Sequence, residues 1–341
     1  MPRTDATVHT TAKPSRARVL TAFAAVYVIW GSTYLAIRFG IESIPPLLMA
    51  GTRFLVAGGA LYAWARLRGD ERPTRAHWAS AFIIGGLLLT GGNGAVTWAE
   101  QRVPSGVASL LVATLPLWIV LLEWLRRSRH QGSGRARPPA AVLGGVALGL
   151  VGLVVLVGPG LTQGASGGVD PVGAAVLIAG SLSWAVGSLY ARRATLPRSG
   201  ALAMGMEMLA GGTLLLVAAV LRGEPGNFDA SAVTTSSVMG LLYLITFGSL
   251  IGFTAYVWLL GVAQPAHVAT YAYVNPVVAV FLGWAIAGEP ITGRTLVAAA
   301  IIVGAVALIT TGNRPSPDES PDARATPERA PEAERRSAEA A

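Results

Sequence analysis

The chain has 341 residues, of which 52% are hydrophobic and only 13% are charged, and its mean hydropathy is +0.54. A soluble protein carries about 25% charged residues, so this composition excludes an ordinary soluble domain. The absence of cysteine excludes disulfides, thiolate catalysis and cysteine-based metal sites. The net charge of +8 fits either nucleic-acid binding or a membrane protein with basic loops.

Apolar runs of about 20 residues, the length of helix that spans a bilayer core, recur along the chain. They predict helices over residues 19–39, 46–65, 79–99, 105–125, 140–158, 171–191, 201–221, 236–260, 266–287 and 293–311. We interpret the first run as a retained anchor, because it is too long for a signal peptide and no small-residue cleavage site follows it. Residues 1–18 are predicted as a cytoplasmic tail. Residues 313–341 lack aromatic residues and are predicted as a disordered cytoplasmic tail.

The loops alternate in charge. If the N-terminus is inside, the inner segments hold 21 of the 26 Lys and Arg residues and the outer segments hold three. This asymmetry predicts that both termini face the cytoplasm, in a bacterial-type inner membrane. It also argues against nucleic-acid binding, because the basic charge is spread over short loops and forms no patch.

The two halves of the chain resemble each other. Trp30 aligns with Trp184 at an offset of 154 residues, and Trp98 aligns with Trp258 at an offset of 160. Six of the nine tryptophans pair in this way, Trp124 with Trp284 being the third pair. Five helices per half is an odd number, so the second half enters the membrane from the opposite side. The fold prediction is therefore an all-α membrane protein of ten helices in two inverted repeats, 19–158 and 171–311.

Three stretches carry a family resemblance: WGSTYLAIRFGIESIPPLLMAGTRFLVAGGAL, ASLLVATLPLWIVLLEWL and TYAYVNPVVAVFLGWAIAGEPIT. They resemble the EamA family of the drug/metabolite transporter superfamily over residues 19–311, and the segment GMEMLAGG is similar to its YedA-like members. The resemblance implies inverted five-helix repeats and export of amino acids, metabolites or drugs. One departure is RRSRHQ, which replaces the Gly-Glu pair that closes the fourth helix in many members. Its repeat mate is present as Gly288-Glu289.

Enzymatic signatures are missing from the sequence. There is no glycine-rich loop with Lys-Ser/Thr for a nucleotide, and the four histidines have no metal-ligand spacing. No nucleophile and base are grouped. We therefore expect no cofactor, no metal and no enzymatic activity, and these absences favour a secondary transporter.

Two charges inside helices occupy equivalent repeat positions, Arg53 and Glu207. Intramembrane charges usually face the protein interior, so we expect both to face a hydrated cavity, Arg53 contacting an anion and Glu207 a proton or cation. Their predicted depths leave roughly 11 Å between their backbones, which argues against a direct ion pair. The alternative is local, with each side chain satisfying neighbouring polar groups.

Polar and aromatic side chains form stripes at helical spacing. His267, Tyr271 and Asn275 recur at i, i+4 and i+8, and Asn275-Pro276 could also mark a helix break. The alternative readings are helix–helix hydrogen bonds and an interfacial aromatic belt. The candidate substrate-binding residues are Trp30, Tyr34, Arg53, Asn93, Thr97, Trp184, Glu207, His267, Tyr271 and Asn275.

Two acidic residues near helix ends are expected in interfacial ion pairs, Glu123 with Arg126 or Arg127 and Glu100 with Arg102. The function favoured by the sequence is secondary export of small polar or amphipathic metabolites by alternating access, with protons as a possible coupling ion. The expected partners are the small-molecule substrate and the lipid bilayer. A passive channel or facilitator and a non-transporting membrane binding protein stay open, as do substrate and oligomeric state.

Overall fold

The structure is a computed structural model that describes residues 15–130, 139–163, 169–263, 265–268 and 270–312. Most of both predicted tails, residues 1–14 and 313–341, lies outside the described residues. Ten helices cross the bundle. They are α1 Arg16–Gly40, α2 Pro46–Leu67, α3 Arg75–Ala99, α4 Ser105–Val112 with Leu115–His130, α5 Ala140–Gln163, α6 Pro171–Ala191, α7 Gly200–Leu221, α8 Thr235–Val262, α9 Tyr271–Ala287 and α10 Gly293–Gly312.

Nine of these helices, in the part of the chain that the structure describes, are long and apolar enough to cross a membrane. The tenth, α9, is shorter at 17 residues. Consecutive helices run in opposite directions, so the bundle has two ends. The end that holds Arg66, Arg126 and Arg192 is called the arginine-rich end. The other, which holds Arg38 and Glu100, is called the opposite end.

The packing of the helices follows the repeat. Helix α2 packs against its mate α7, and α5 packs against its mate α10. Helix α1 packs against α8 and α9, while its mate α6 packs against α3 and α4. Exchanging each helix with the one five places further along therefore leaves this set of neighbours unchanged. The predicted fold class, ten helices in two inverted five-helix repeats, is confirmed.

Small residues let α2 and α7 approach closely. Gly51 and Gly58 of α2 face α7, and their repeat mates Gly205 and Gly212 of α7 face α2. A Cβ atom added at Gly58 would lie 2.7 Å from the Met208 Cβ and 2.8 Å from the Leu209 backbone nitrogen. Small residues at such crossings stabilise membrane helix pairs through close backbone contact.

We expect Gly58→Ala to destabilise the α2–α7 pair by about 1–3 kcal/mol, because the new methyl group meets backbone that cannot move aside. Thermal unfolding of the purified protein in detergent measures the effect as a lower Tm. The neighbouring Gly59→Ala is the matched control, since nothing lies within 4 Å of a Cβ added there. Equal Tm values for the two variants would contradict this account of the interface.

Two π-helical segments interrupt α-helical geometry at repeat-equivalent positions. One covers Gly85–Asn93 in the middle of α3, and the other covers Leu244–Ile251 in the middle of α8. A π turn widens the helix, displaces its backbone hydrogen bonds and often marks a functional site. In α8 the Gly248 carbonyl accepts a hydrogen bond from Trp30 Nε1 at 3.3 Å. The helical periodicity of the sequence does not predict these segments.

The ninth helix differs from its prediction. Residues 266–287 were expected to form one helix, but a short helix Pro265–Val268 is separate from α9, which begins at Tyr271. The helix does not break at Asn275-Pro276, the position that the sequence offered. There the Asn275 amide, with its nitrogen as the donor, reaches the Tyr271 carbonyl at 3.3 Å and the Tyr27 carbonyl of α1 at 3.2 Å.

Candidate substrate site

Arg53 lies at the centre of the bundle, between the two π segments. Its side chain is only 3% exposed. The Nε donates to Ser249 Oγ of the α8 segment at 2.9 Å, and Nη1 donates to Asn93 Oδ1 at the end of the α3 segment at 3.5 Å. The guanidinium also lies 4.7 Å from the centre of the Phe54 ring. One cation thus links both irregular segments through neutral acceptors.

No acidic side chain among the described residues forms an ion pair with Arg53. A guanidinium has five N–H donors in a planar fork that matches a carboxylate. The two described hydrogen bonds leave donors that an anion can use. Because a buried charge without a counter-ion is costly, the site is chemically suited to an anionic group that arrives from outside.

Glu207 is partly exposed inside α7, and it forms no hydrogen bond or ion pair with any described residue. The doubt about a direct Arg53–Glu207 bridge is therefore upheld. The backbone at Glu207 lies against Gly85, at the start of the π segment of α3. The Arg53 side chain and the Glu207 backbone thus adjoin the same irregular segment, one near each of its ends.

An aromatic cluster stands beside the Arg53 group. Trp30 of α1 lies 5.1 Å from Tyr256, 5.1 Å from Tyr271 and 5.2 Å from Phe253, measured between ring centres. Tyr256 and Tyr271 are themselves 5.8 Å apart in a perpendicular arrangement. Such rings offer flat apolar faces with polar tips. Of the predicted residues, the structure therefore brings together Trp30 and Tyr271 directly.

The surroundings of Trp30 and of its repeat mate Trp184 are only partly alike. Trp30 packs against Gly252 of α8, and its mate Trp184 packs against the equivalent Gly92 of α3. Trp184 has no ring partner among the described aromatic contacts, whereas Trp30 has three. The aromatic cluster therefore joins Trp30 of the first repeat to rings of the second repeat, and it has no counterpart around Trp184 among the described aromatic contacts.

Four other predicted residues differ in how exposed they are. Thr97 is 1% exposed and donates to the Asn93 carbonyl at 2.9 Å, so it supports the helix that carries Asn93. Asn275 is also buried and joins α9 to α1, as described above. Tyr34 is partly buried against the core. His267 lies exposed on Pro265–Val268, so the predicted stripe of three residues on one helix is not formed.

The expected ion pairs at the helix ends also differ. Glu123 Oε1 contacts Arg192 Nη1 of α6 at 2.7 Å, so its ion-pair partner lies on another helix. Glu100 is only 1% exposed, and neither carboxylate oxygen has a hydrogen-bond partner. Arg102 instead stacks over Trp98, 5.3 Å from the ring centre. The prediction of a Glu100–Arg102 surface pair is wrong because the end of α3 is buried by neighbouring segments.

Two glutamates cap distant helices, which the sequence analysis missed. Glu289 accepts hydrogen bonds from the backbone N–H groups of Ser105 at 2.7 Å and Gly106 at 3.0 Å, at the start of α4. Glu224 caps α2 through the N–H groups of Leu47 and Leu48. Burial raises the pKa of the Glu224 carboxyl, and those two hydrogen bonds oppose the shift. A carboxylate at a helix N-terminus also interacts favourably with the helix dipole.

A cavity of about 340 Å³ opens at the opposite end. Arg38, Glu100, Arg102 and Glu289 line it, and none of the predicted substrate-binding residues does. No group of three or more His, Asp or Glu side chains in the described ranges could hold a metal ion. Within the described residues, the Arg53 group in the centre and this cavity are thus two separate polar sites.

Comparison with known proteins places the chain among membrane transporters. The EamA-like transporter family matches residues 17–158 and 171–311. The "Uncharacterized inner membrane transporter YedA" of Escherichia coli (strain K12) is 44% identical over 292 residues, which cover 85% of this chain and 90% of that protein. The "Probable amino-acid metabolite efflux pump" of Salmonella typhimurium is 26% identical over 294 residues, 82% of this chain and 90% of that protein.

A solved structure described only as "Crystal structure of protein" shares the fold, with a TM-score of 0.55 and 23% identity. It covers 88% of this chain and 100% of the other. The family and the named relatives are transporters and not enzymes. With the helical bundle described above, these matches assign the chain to the EamA-like transporter family, as a multi-pass transporter of the inner membrane.

Proposed function

We propose that this protein exports small amphoteric metabolites by alternating access, with the Arg53 group as the substrate site. The observation that carries the proposal is Arg53 itself, a buried cation without a described anionic partner, held between two π segments. A substrate carboxylate would supply the missing charge. The efflux-pump name of one relative supports a substrate of the amino-acid class.

The aromatic cluster around Trp30 would hold the apolar part of the substrate. Three rings have their centres within about 5 Å of the Trp30 ring centre. Together they form a surface that can bind flat or hydrocarbon groups of various shapes. Glu207 would meet a cationic group, since its carboxylate is also without a described partner. Small solutes that carry a carboxylate, an amino group and an apolar side chain satisfy all three contacts.

The inverted repeats supply a mechanism for export. Arg53 hydrogen-bonds to α3 and α8, which are repeat mates, and each has a π segment at the contact. If the two halves exchange conformations, the site opens first to one side and then to the other. The positive-inside asymmetry supports placing both termini and the arginine-rich end in the cytoplasm. On this account residues 19–158 and 171–311 are the two exchanging units.

Flux into proteoliposomes tests the proposal against a passive channel. The purified protein is reconstituted and challenged with a panel of labelled amino acids and amphipathic drugs, with and without a pH gradient. We expect saturable flux and accumulation of at least one amphoteric solute against its gradient. Flux that only equilibrates and never saturates would favour the channel. No flux of any solute in the panel would contradict both transport functions.

A further inference from the structure

Glu100 is a buried acid that the proposed substrate site does not use, and it differs from the buried Glu224 in having no hydrogen-bond partner among the described residues. It follows the last turn of α3 at the opposite end and is 1% exposed. Both carboxylate oxygens are shielded from solvent and have no hydrogen-bond partner among the described residues. Since burying an ionised carboxylate without a partner is strongly unfavourable, the surroundings of Glu100 decide whether it carries its charge.

Three titratable groups lie close enough to Glu100 to affect its charge. Glu289, from the loop between α9 and α10, and Arg38, from the end of α1, interact with it with opposite signs. Tyr34 of α1 is within electrostatic reach as well. Arg102 lines the same cavity but stacks on Trp98. Burial and the Glu289 charge raise the pKa of the Glu100 carboxyl well above its usual range, and Arg38 opposes them.

Glu289 donates no hydrogen bond to Glu100. Both oxygens of Glu289 instead accept hydrogen bonds from backbone N–H groups at the start of α4. That position stabilises a carboxylate anion through the helix dipole. Two acids therefore face one arginine, and only one of them is hydrogen-bonded. A second negative charge nearby makes ionisation of Glu100 more costly, so the proton is favoured on Glu100, the acid that lacks donors.

We infer that Glu100 is a proton-binding site, loaded from the opposite end through the cavity lined by Arg38 and Glu289. Glu100 is among the residues that line the cavity of about 340 Å³, yet both its carboxylate oxygens are shielded from solvent. A proton can reach them by relay, whereas a larger cation needs the shielding groups to move aside. The reaction is a protonation in which the Glu100 carboxylate accepts one proton from a hydronium ion, which becomes water, and Glu100 becomes neutral.

Tyr34 connects this site with the substrate site. It lies near Glu100 and near Tyr271, which packs on Trp30. Removing the proton from Glu100 places a negative charge beside Tyr34 and so changes the field at the aromatic cluster. This coupling to transport rests on the proposed function, whereas the protonation of Glu100 in the resting protein is independent of it.

Infrared difference spectroscopy of the reconstituted protein tests the protonation directly. A protonated carboxyl group has a carbonyl stretch that is separate from the bands of a carboxylate. We expect such a band in the wild type at neutral pH, its loss in Glu100→Gln and its retention in Glu123→Gln, whose parent acid is a surface ion-pair partner. An unchanged band in Glu100→Gln would overturn the inference. If that variant does not fold, Glu100→Asp should shift the band, and an unshifted band would overturn it equally.

Transport separates this inference from the proposed function. We expect Glu100→Gln to lose accumulation driven by a pH gradient and to keep exchange of substrate between the two sides. Full gradient-driven accumulation in Glu100→Gln would overturn the coupling. A wild type that transports nothing would defeat the proposed function, while a band assigned to Glu100 would still establish the proton site.

Discussion

Arg53→Gln is expected to weaken strongly the transport of solutes that carry a carboxylate. The side chain links Asn93 and Ser249 and is the buried cation nearest both π segments. A hydrogen bond to a charged group contributes about 1.5–3 kcal/mol. Its loss corresponds to roughly tenfold to hundredfold weaker apparent affinity. Concentration-dependent flux in proteoliposomes measures the change as a raised KM.

Arg53→Lys is the informative companion variant. Lysine keeps the positive charge and loses the planar fork, so we expect partial activity toward carboxylates. A neutral analogue of the substrate, such as its amide, should be transported about equally well by the wild type and by Arg53→Gln. Equal loss for the carboxylate and the amide would show that Arg53 acts only by holding α2, α3 and α8 together. Thermal unfolding of each variant controls for that structural effect.

Glu207→Gln is expected to reduce flux of solutes that bear an amino group, at equal amounts of protein in the membrane. The glutamine has almost the same shape, and it removes the only charge within α7. Because Glu207 has no described partner, the substitution breaks no contact in the resting protein. A fall in flux would therefore report a role in the transport cycle and not a loss of folding.

The control for Glu207 is Glu123→Gln, which removes an acid near the same end of the bundle. Glu123 is paired with Arg192 at 2.7 Å, and the Arg192 side chain is 61% exposed. Exposed ion pairs of this kind contribute at most about 1 kcal/mol, so transport should be unaffected. Unchanged flux and unchanged pH dependence in Glu207→Gln would refute a transport role for Glu207.

Features that repeat along the chain were predictable from the sequence. Apolar runs gave ten helices, and paired tryptophans such as Trp30 and Trp184 gave the inverted repeat. The glycines at equal offset, such as Gly58 and Gly212, proved to be the α2–α7 contact. These features have general causes. The thickness of a bilayer sets the length of the helices, and a duplicated sequence repeats its helix packing.

Features that join distant segments were not predictable. The π segments depend on tertiary contacts, and a glycine-rich stretch such as GGLLLTGGN was their only sequence signal. The cap of Glu289 on Ser105 joins residues that are 184 positions apart. Glu100 looked like a surface acid because it ends an apolar run, and only the fold shows that it is buried beside a cavity that the loop after α9 also lines.

The interruption before α9 was missed for a related reason. Its sequence carries one visible signal, Asn275-Pro276, and proline usually marks where a helix bends or ends. In the fold, the Asn275 amide reaches the Tyr271 and Tyr27 carbonyls, and the helix continues past this point. His267 therefore lies on a separate short helix, a placement that no helical periodicity could indicate.

Site-directed thiol labelling tests alternating access through the Arg53 site most directly, because the chain has no cysteine of its own. Thr33→Cys places one thiol near the Arg53 guanidinium, since a Cβ added at Gly248 would lie 3.1 Å from both side chains. A membrane-impermeant reagent is applied from each side in turn, with substrate on one side or the other. We expect labelling from one side to rise as labelling from the other falls. Labelling that rises and falls together from both sides, or that substrate never affects, would contradict alternating access at this site.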